Sequence, residues 1–163
     1  MNRIANSIKN RLSLRPPQAE SLNILAELVD KLPLVKNNDL PALLEIVKSA
    51  YPTCTDFERN FPSICFALAT GVGKTRLMGA FVTYLYLAKG IKNFFVLAPN
   101  LTIYNKLIED FSNTAHPKYV FKGIGEFVHN NPVIITGDNY NSIGDLYKEQ
   151  EINVGLKVED IVG

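Results

Sequence analysis

Ile64-Cys65-Phe66-Ala67-Leu68-Ala69-Thr70-Gly71-Val72-Gly73-Lys74-Thr75 runs from an apolar stretch through two glycines to a lysine and a hydroxyl side chain. Its reading decides the fold. Residues 64–68 are short, nearly all apolar and preceded by Pro62, which predicts a strand buried on both faces that delivers the following loop to a sheet's carboxyl edge. Gly71 and Gly73 lack a Cβ, so the chain there can adopt backbone angles closed to other residues and bring its N–H groups close to an anion. Thr70 and Val72 complete the loop. Lys74 adds a cation for the β- and γ-phosphates, and Thr75 adds a hydroxyl for Mg²⁺. Leu77, Ala80, Phe81, Leu85 and Ala88 recur at helical spacing, so a helix from Thr75 to about Lys89 would aim its positive end at the same charge. The strict phosphate-loop pattern has glycine where this chain has Leu68.

Without that first glycine, Ala69 to Thr75 resembles motif I of superfamily 2 helicases and translocases, especially the helicase-like restriction subunits of type III restriction enzymes. Leu14-Arg15-Pro16-Pro17-Gln18-Ala19-Glu20 is similar to the element preceding motif I in many of these ATPases. The resemblance implies that Gln18 reads the adenine edge; a solvent-facing glutamine in a helix's first turn is the other reading. Phe94 to Thr102 resembles motif Ia, and Pro132 to Asp138 resembles the motif Ib region. By that likeness Pro99, Asn100, Leu101, Thr102, Thr136 and Gly137 would touch nucleic-acid backbone. Asn100 is equally a good helix N-cap, and the two roles are compatible because a helix start offers free N–H groups to phosphate.

The resemblance spans roughly residues 12 to 140. It implies an α/β fold, a partial RecA-like P-loop NTPase domain with a parallel sheet core at 61–163, preceded by a helical segment at 1–60. It also implies ATP and Mg²⁺ as cofactors, DNA as a partner through the full-length parent, and a modification subunit.

Phosphoryl transfer in this class needs an Asp-Glu pair on a later strand to hold Mg²⁺ and orient water. No Asp-Glu dipeptide occurs in the 163 residues. The chain therefore reads as the amino-terminal part of a larger motor, with the nucleotide grip but no catalytic residue of its own. One alternative is a self-contained P-loop ATPase or nucleotide switch that uses Asp138, after the apolar run Val133-Ile134-Ile135, as the Mg²⁺ aspartate. Another is a non-enzymatic interaction module that keeps the fold without the grip.

Composition agrees with one globular unit, at 47% hydrophobic and 20% charged residues. A formal net charge of +1 advertises no basic field, so nucleic acid would need a local track. Cys54 and Cys65 are too few and too far apart for a metal set, and Cys65 is expected in the core as a small hydrophobe. His116 and His129 lack a ligand cluster and are expected at the surface. No apolar run approaches the ~20 residues of a membrane span, and the first residues lack a secretory core, which implies cytoplasm and no membrane partner. Ile4, Ile8 and Leu12 among Arg3, Lys9, Arg11 and Arg15 fit either an organellar transit peptide or an amphipathic helix leading into the Gln18 element.

The remaining periodicity predicts helices over 17–31, 40–50 and 101–111, with Gly90 as a helix stop. Strands are expected at 94–98, at Tyr119-Val120-Phe121 and at 133–136, with a further one between Val154 and Val162. Tyr84, Tyr86, Phe94, Phe95 and Phe121 are expected in the core. A sheet lacking some of its strands would expose unpaired backbone and apolar surface, which favour self-association.

Overall fold

The computed structural model describes residues 2–35 and 39–142 and the backbone of 155–160. Three helices come first: α1 (Arg3–Arg11), α2 (Pro16–Lys31) and α3 (Leu40–Ala50). Each start has a local cause. Asn2 caps α1 with a side-chain oxygen that accepts from the Ile4 and Ala5 amides, and Asp39 caps α3 by accepting from the Ala42 amide. At α2, Pro16 and Pro17 occupy the first turn, where no intrahelical N–H bond is required, and the Arg15 N–H donates to Gln18 Oε1 at 2.8 Å.

Then follow α4 (Lys74–Lys89), β1 (Asn93–Ala98), α5 (Leu101–Ser112), α6 (Glu126–His129), β2 (Val133–Ile135) and β3 (Gly155–Asp160). Gly90 ends α4 in the left-handed region at φ 66°, and the N–H groups of Gly90 and Ile91 donate to Tyr86 and Leu85. The strands pair in parallel in the order β1-β3-β2. Asn93 and Val133 both stand opposite Gly155, so β1 runs three residues beyond β2 at the carboxyl edge.

The main core unites α1, α2, α4, β1, α5 and the turn at 119–127 through residues such as Ile8, Leu22, Tyr84, Val96 and Phe121. A smaller cluster joins α2 to α3 and Phe57. Gly79 permits the tight approach of α4 to the 119–121 turn, since a Cβ there would lie 2.6 Å from Val120 Cβ. The amphipathic reading of residues 4–12 is realised as a packed helix. Asn2 Nδ2 donates to the buried Tyr84 hydroxyl at 2.6 Å, and Arg76 Nη1 donates to Leu12 O at 3.0 Å.

Several expectations need correction. Residues 64–68 form no strand: the segment has no backbone partner among the described residues, where the sheet is built from β1, β3 and β2. Its side chains alternate half-buried and exposed instead of being buried on both faces, which leaves Cys65 exposed. Tyr119-Val120-Phe121 is a buried turn, apolar because it plugs the core, not because it pairs. Phe95 is 54% exposed, on the opposite face of β1 from Val96. His116 is not a free surface residue, since its Nδ1 sits 3.2 Å from the buried Asp110 carboxylate. The strand expected between Val154 and Val162 is present as β3, while Val154, Ile161 and Val162 lie outside the described residues.

Candidate nucleotide site

Gly71 and Gly73 adopt φ of 82° and 93°, the left-handed region that side chains resist. Gly73 has a second reason to be glycine: a Cβ there would stand 2.7 Å from Gln18 Nε2. That nitrogen donates to Gly73 O at 2.8 Å. Arg15 Nη1 reaches Gly71 O at 3.4 Å, a weaker contact on an exposed side chain. The Gln18 element and the loop, 55 residues apart in the chain, are therefore bound directly to each other.

The direction of those bonds determines what the loop presents. In a trans peptide the carbonyl and the next residue's N–H point opposite ways, and no cis bond occurs among the described residues. Gln18 holds the Gly73 carbonyl, so the Lys74 N–H points away from Gln18. Arg15 likewise turns the Val72 N–H away from itself. No backbone amide from Ala69 to Arg76 has a partner within the described protein. These donors sit at the start of the 16-residue helix α4, where the helix dipole adds positive potential. Lys74 is exposed and Thr75 half-buried in the first turn.

This donor set fits a polyphosphate. Thr75 can give a hydroxyl to a phosphate-held Mg²⁺, an ion that keeps several waters and needs few protein ligands. Among the described residues no group of three or more His, Cys, Asp or Glu side chains is placed to hold a metal by itself.

The family model for the type III restriction enzyme res subunit matches residues 11–156. The chain belongs to this family. The match takes in the Gln18 element, the loop, β1 and β2. No curated protein and no solved structure matches the chain.

As a res-subunit chain it brings the other singled-out residues to recognisable places. Pro99, Asn100, Leu101 and Thr102 follow β1 directly, all exposed, and Asn100 caps α5 by accepting from the Ile103 amide at 3.0 Å. Thr136 and Gly137 follow β2, which runs parallel with only β3 between, so both groups lie along one sheet edge. They are not alike. Thr136 is 7% exposed and its N–H is taken by Asn139 Oδ1 at 2.7 Å, whereas Gly137 and Asp138 are exposed.

Gln18 is 2% exposed, with both ends of its amide engaged. One N–H and one lone pair of the amide are not used by these two bonds. Sequence reasoning missed Arg15 as a loop contact and Arg76 as the tie to α1. Arg15 carried a signal, since it stands three residues before Gln18 at the N-cap; Arg76 carried none.

Proposed function

We propose that this chain binds ATP with Mg²⁺ as the amino-terminal, RecA-like part of a helicase or translocase of the type III restriction kind. The supporting observation is the run of unpartnered amides from Ala69 to Arg76 behind two glycines in left-handed conformation. Amides of Gly71, Val72 and Gly73 hold the phosphates, with Thr70 at the loop's approach. Lys74 neutralises their outer charge, and Thr75 meets Mg²⁺. Gln18 supports the loop from below and offers its spare donor and acceptor to adenine. Mg²⁺, when bound, screens the phosphate charge.

Pro99 to Thr102 and Gly137 contact DNA backbone, using the free N–H groups at the start of α5; the buried Thr136 holds the turn that presents Gly137. Movement along DNA and docking of a modification subunit belong to the same reading. With no Asp-Glu pair in the sequence, turnover by this chain is negligible, and Asp138 does not replace that pair.

Calorimetry with ATP and Mg²⁺ on wild type and Lys74→Ala, run beside a phosphate-release assay, tests the proposal. Weak binding that the variant loses, with no sustained hydrolysis, is the expected result. Rapid hydrolysis lost in Asp138→Asn would replace it with the self-contained ATPase, and heat-release curves identical for the two proteins would remove the nucleotide altogether.

A further inference from the structure

Arg76 stands one residue after Thr75, where a further cation for phosphate would be unsurprising, yet its Nη1 donates to the main-chain carbonyl of Leu12 at 3.0 Å, 64 positions away. That carbonyl belongs to a costly turn. The Ser13 N–H donates to Asn10 O at 3.2 Å and the Leu14 N–H to Lys9 O at 2.9 Å, the paired bonds of a left-handed helix stop. Glycine is the residue favoured at the left-handed position, and here Ser13 holds it at φ 49°. A backbone in a conformation its residue resists persists only where its surroundings fix it. Burial of Leu12 and Leu14 is one such constraint, and the Arg76 bond is another. Arg15, the N-cap of α2, follows Leu14 directly, so the turn that ends α1 also aims the start of α2.

The Gln18 element and the nucleotide loop are thus joined at two points. Gln18 Nε2 donates to Gly73 O at 2.8 Å, and Arg76 donates to Leu12 O. Gly73 is the N-cap of α4 and Arg76 its third residue, while Leu12 precedes Gln18 by six positions. One attachment would leave the first turn of α2 free to pivot about Gly73; two fix its direction. The exposed Arg15 contact to Gly71 O, at 3.4 Å, adds little to that constraint.

We propose that Arg76 is a positioning residue for base selection: by clasping Leu12 O it fixes the direction in which the Gln18 amide meets the purine, without touching the nucleotide. This rests on the reading of Gln18 as an adenine contact. Adenine offers an acceptor at N7 and a donor at N6, which match the spare N–H and lone pair of the amide, whereas guanine replaces that donor with the O6 acceptor. The distinction depends on aim, because a hydrogen bond weakens steeply as its angle closes.

Amide exchange and calorimetry on the full chain test the proposal. Without nucleotide, Arg76→Met should speed exchange at the Leu14 and Arg15 amides by about fivefold, the worth of one hydrogen bond. With Mg²⁺ present, ATP and GTP are titrated into wild type, Arg76→Met and Arg76→Lys. The wild type prefers ATP, Arg76→Met cuts that preference by about fivefold, and Arg76→Lys, which keeps a donor, falls between them.

Equal weakening of ATP and GTP in Arg76→Met would make Arg76 a phosphate contact or a general support and overturn the proposal. Unchanged exchange at Leu14 and Arg15 does so as well, as does faster exchange with the ATP preference intact. A wild type that binds both nucleotides alike brings down the adenine reading of Gln18 itself, and the role of Arg76 with it, whatever the exchange rates.

Discussion

Replacing Gln18 by alanine removes the bond that joins its Nε2 to Gly73 O in the nucleotide loop, and the local bond that its Oε1 accepts at the start of α2. Gly73 O keeps the Leu77 N–H at 3.2 Å, while the Arg15 N–H loses its side-chain acceptor. Each bond contributes about 1 kcal/mol net, which together predict a loss of roughly 2 kcal/mol. For a domain of this size that lowers Tm by roughly 4–8 °C. Glu20→Ala, an exposed neighbour on the same helix, should stay within about 0.5 kcal/mol of wild type.

Gln18→Glu sharpens the test because it keeps the acceptor for Arg15 and makes the donor to Gly73 titratable. The protonated carboxyl can donate to the carbonyl; the ionised one repels it and is buried. Its folded pKa is therefore raised above the unfolded value near 4.3. A raised folded pKa means stability that is present below the unfolded pKa and lost as pH rises through the folded one. Each unit of elevation adds about 1.4 kcal/mol to the deficit at neutral pH. Urea unfolding of wild type and both variants at pH 4 and pH 7.5 reads this directly. A Gln18→Ala deficit no larger than that of Glu20→Ala, or a Gln18→Glu deficit that does not change with pH, would refute the idea that Gln18 braces the loop.

The two loop glycines should respond unequally to alanine. Gly71→Ala meets only backbone strain, about 1–2 kcal/mol by denaturant unfolding, since nothing lies within 4 Å of its added Cβ, whereas Gly73→Ala adds a collision with Gln18 at 2.7 Å and should lose more stability. Gly79→Ala should destabilise by about 1–3 kcal/mol through overpacking against Val120, and because the two sites touch, the double variant with Val120→Ala should lose less than the sum of the two single losses in a double-mutant cycle. Tyr119→Phe should stabilise by about 1 kcal/mol, because the Tyr119 hydroxyl is buried without a hydrogen-bond partner. Burial raises the Tyr119 pKa above its ordinary 10.0, so the wild type should lose stability as pH climbs beyond about 10, and the phenylalanine variant should lose less in an alkaline melting series.

Local chemistry was legible where neighbours in the chain make it. Positive φ at Gly71 and Gly73, the start of α4 behind them, the Asn100 cap and the Gly90 stop all follow from short-range sterics and hydrogen bonding, and the sequence alone determined them. Apolar runs were ambiguous because pairing and plugging call for the same residues. Residues 64–68 and 119–121 both looked like strands, yet one has no partner among the described residues and the other turns beneath α4 against Gly79. Likewise Gln18 could be assigned to a motif, but not to Gly73, and Arg15 could not be placed beside Gly71. Those contacts join residues more than fifty positions apart, and only the packing of α2 against α4 creates them. The chain's own order therefore decided which peptide groups can face an anion, while the tertiary structure decided what holds them there, because a hydrogen bond between distant segments exists only after the hydrophobic core has brought them together.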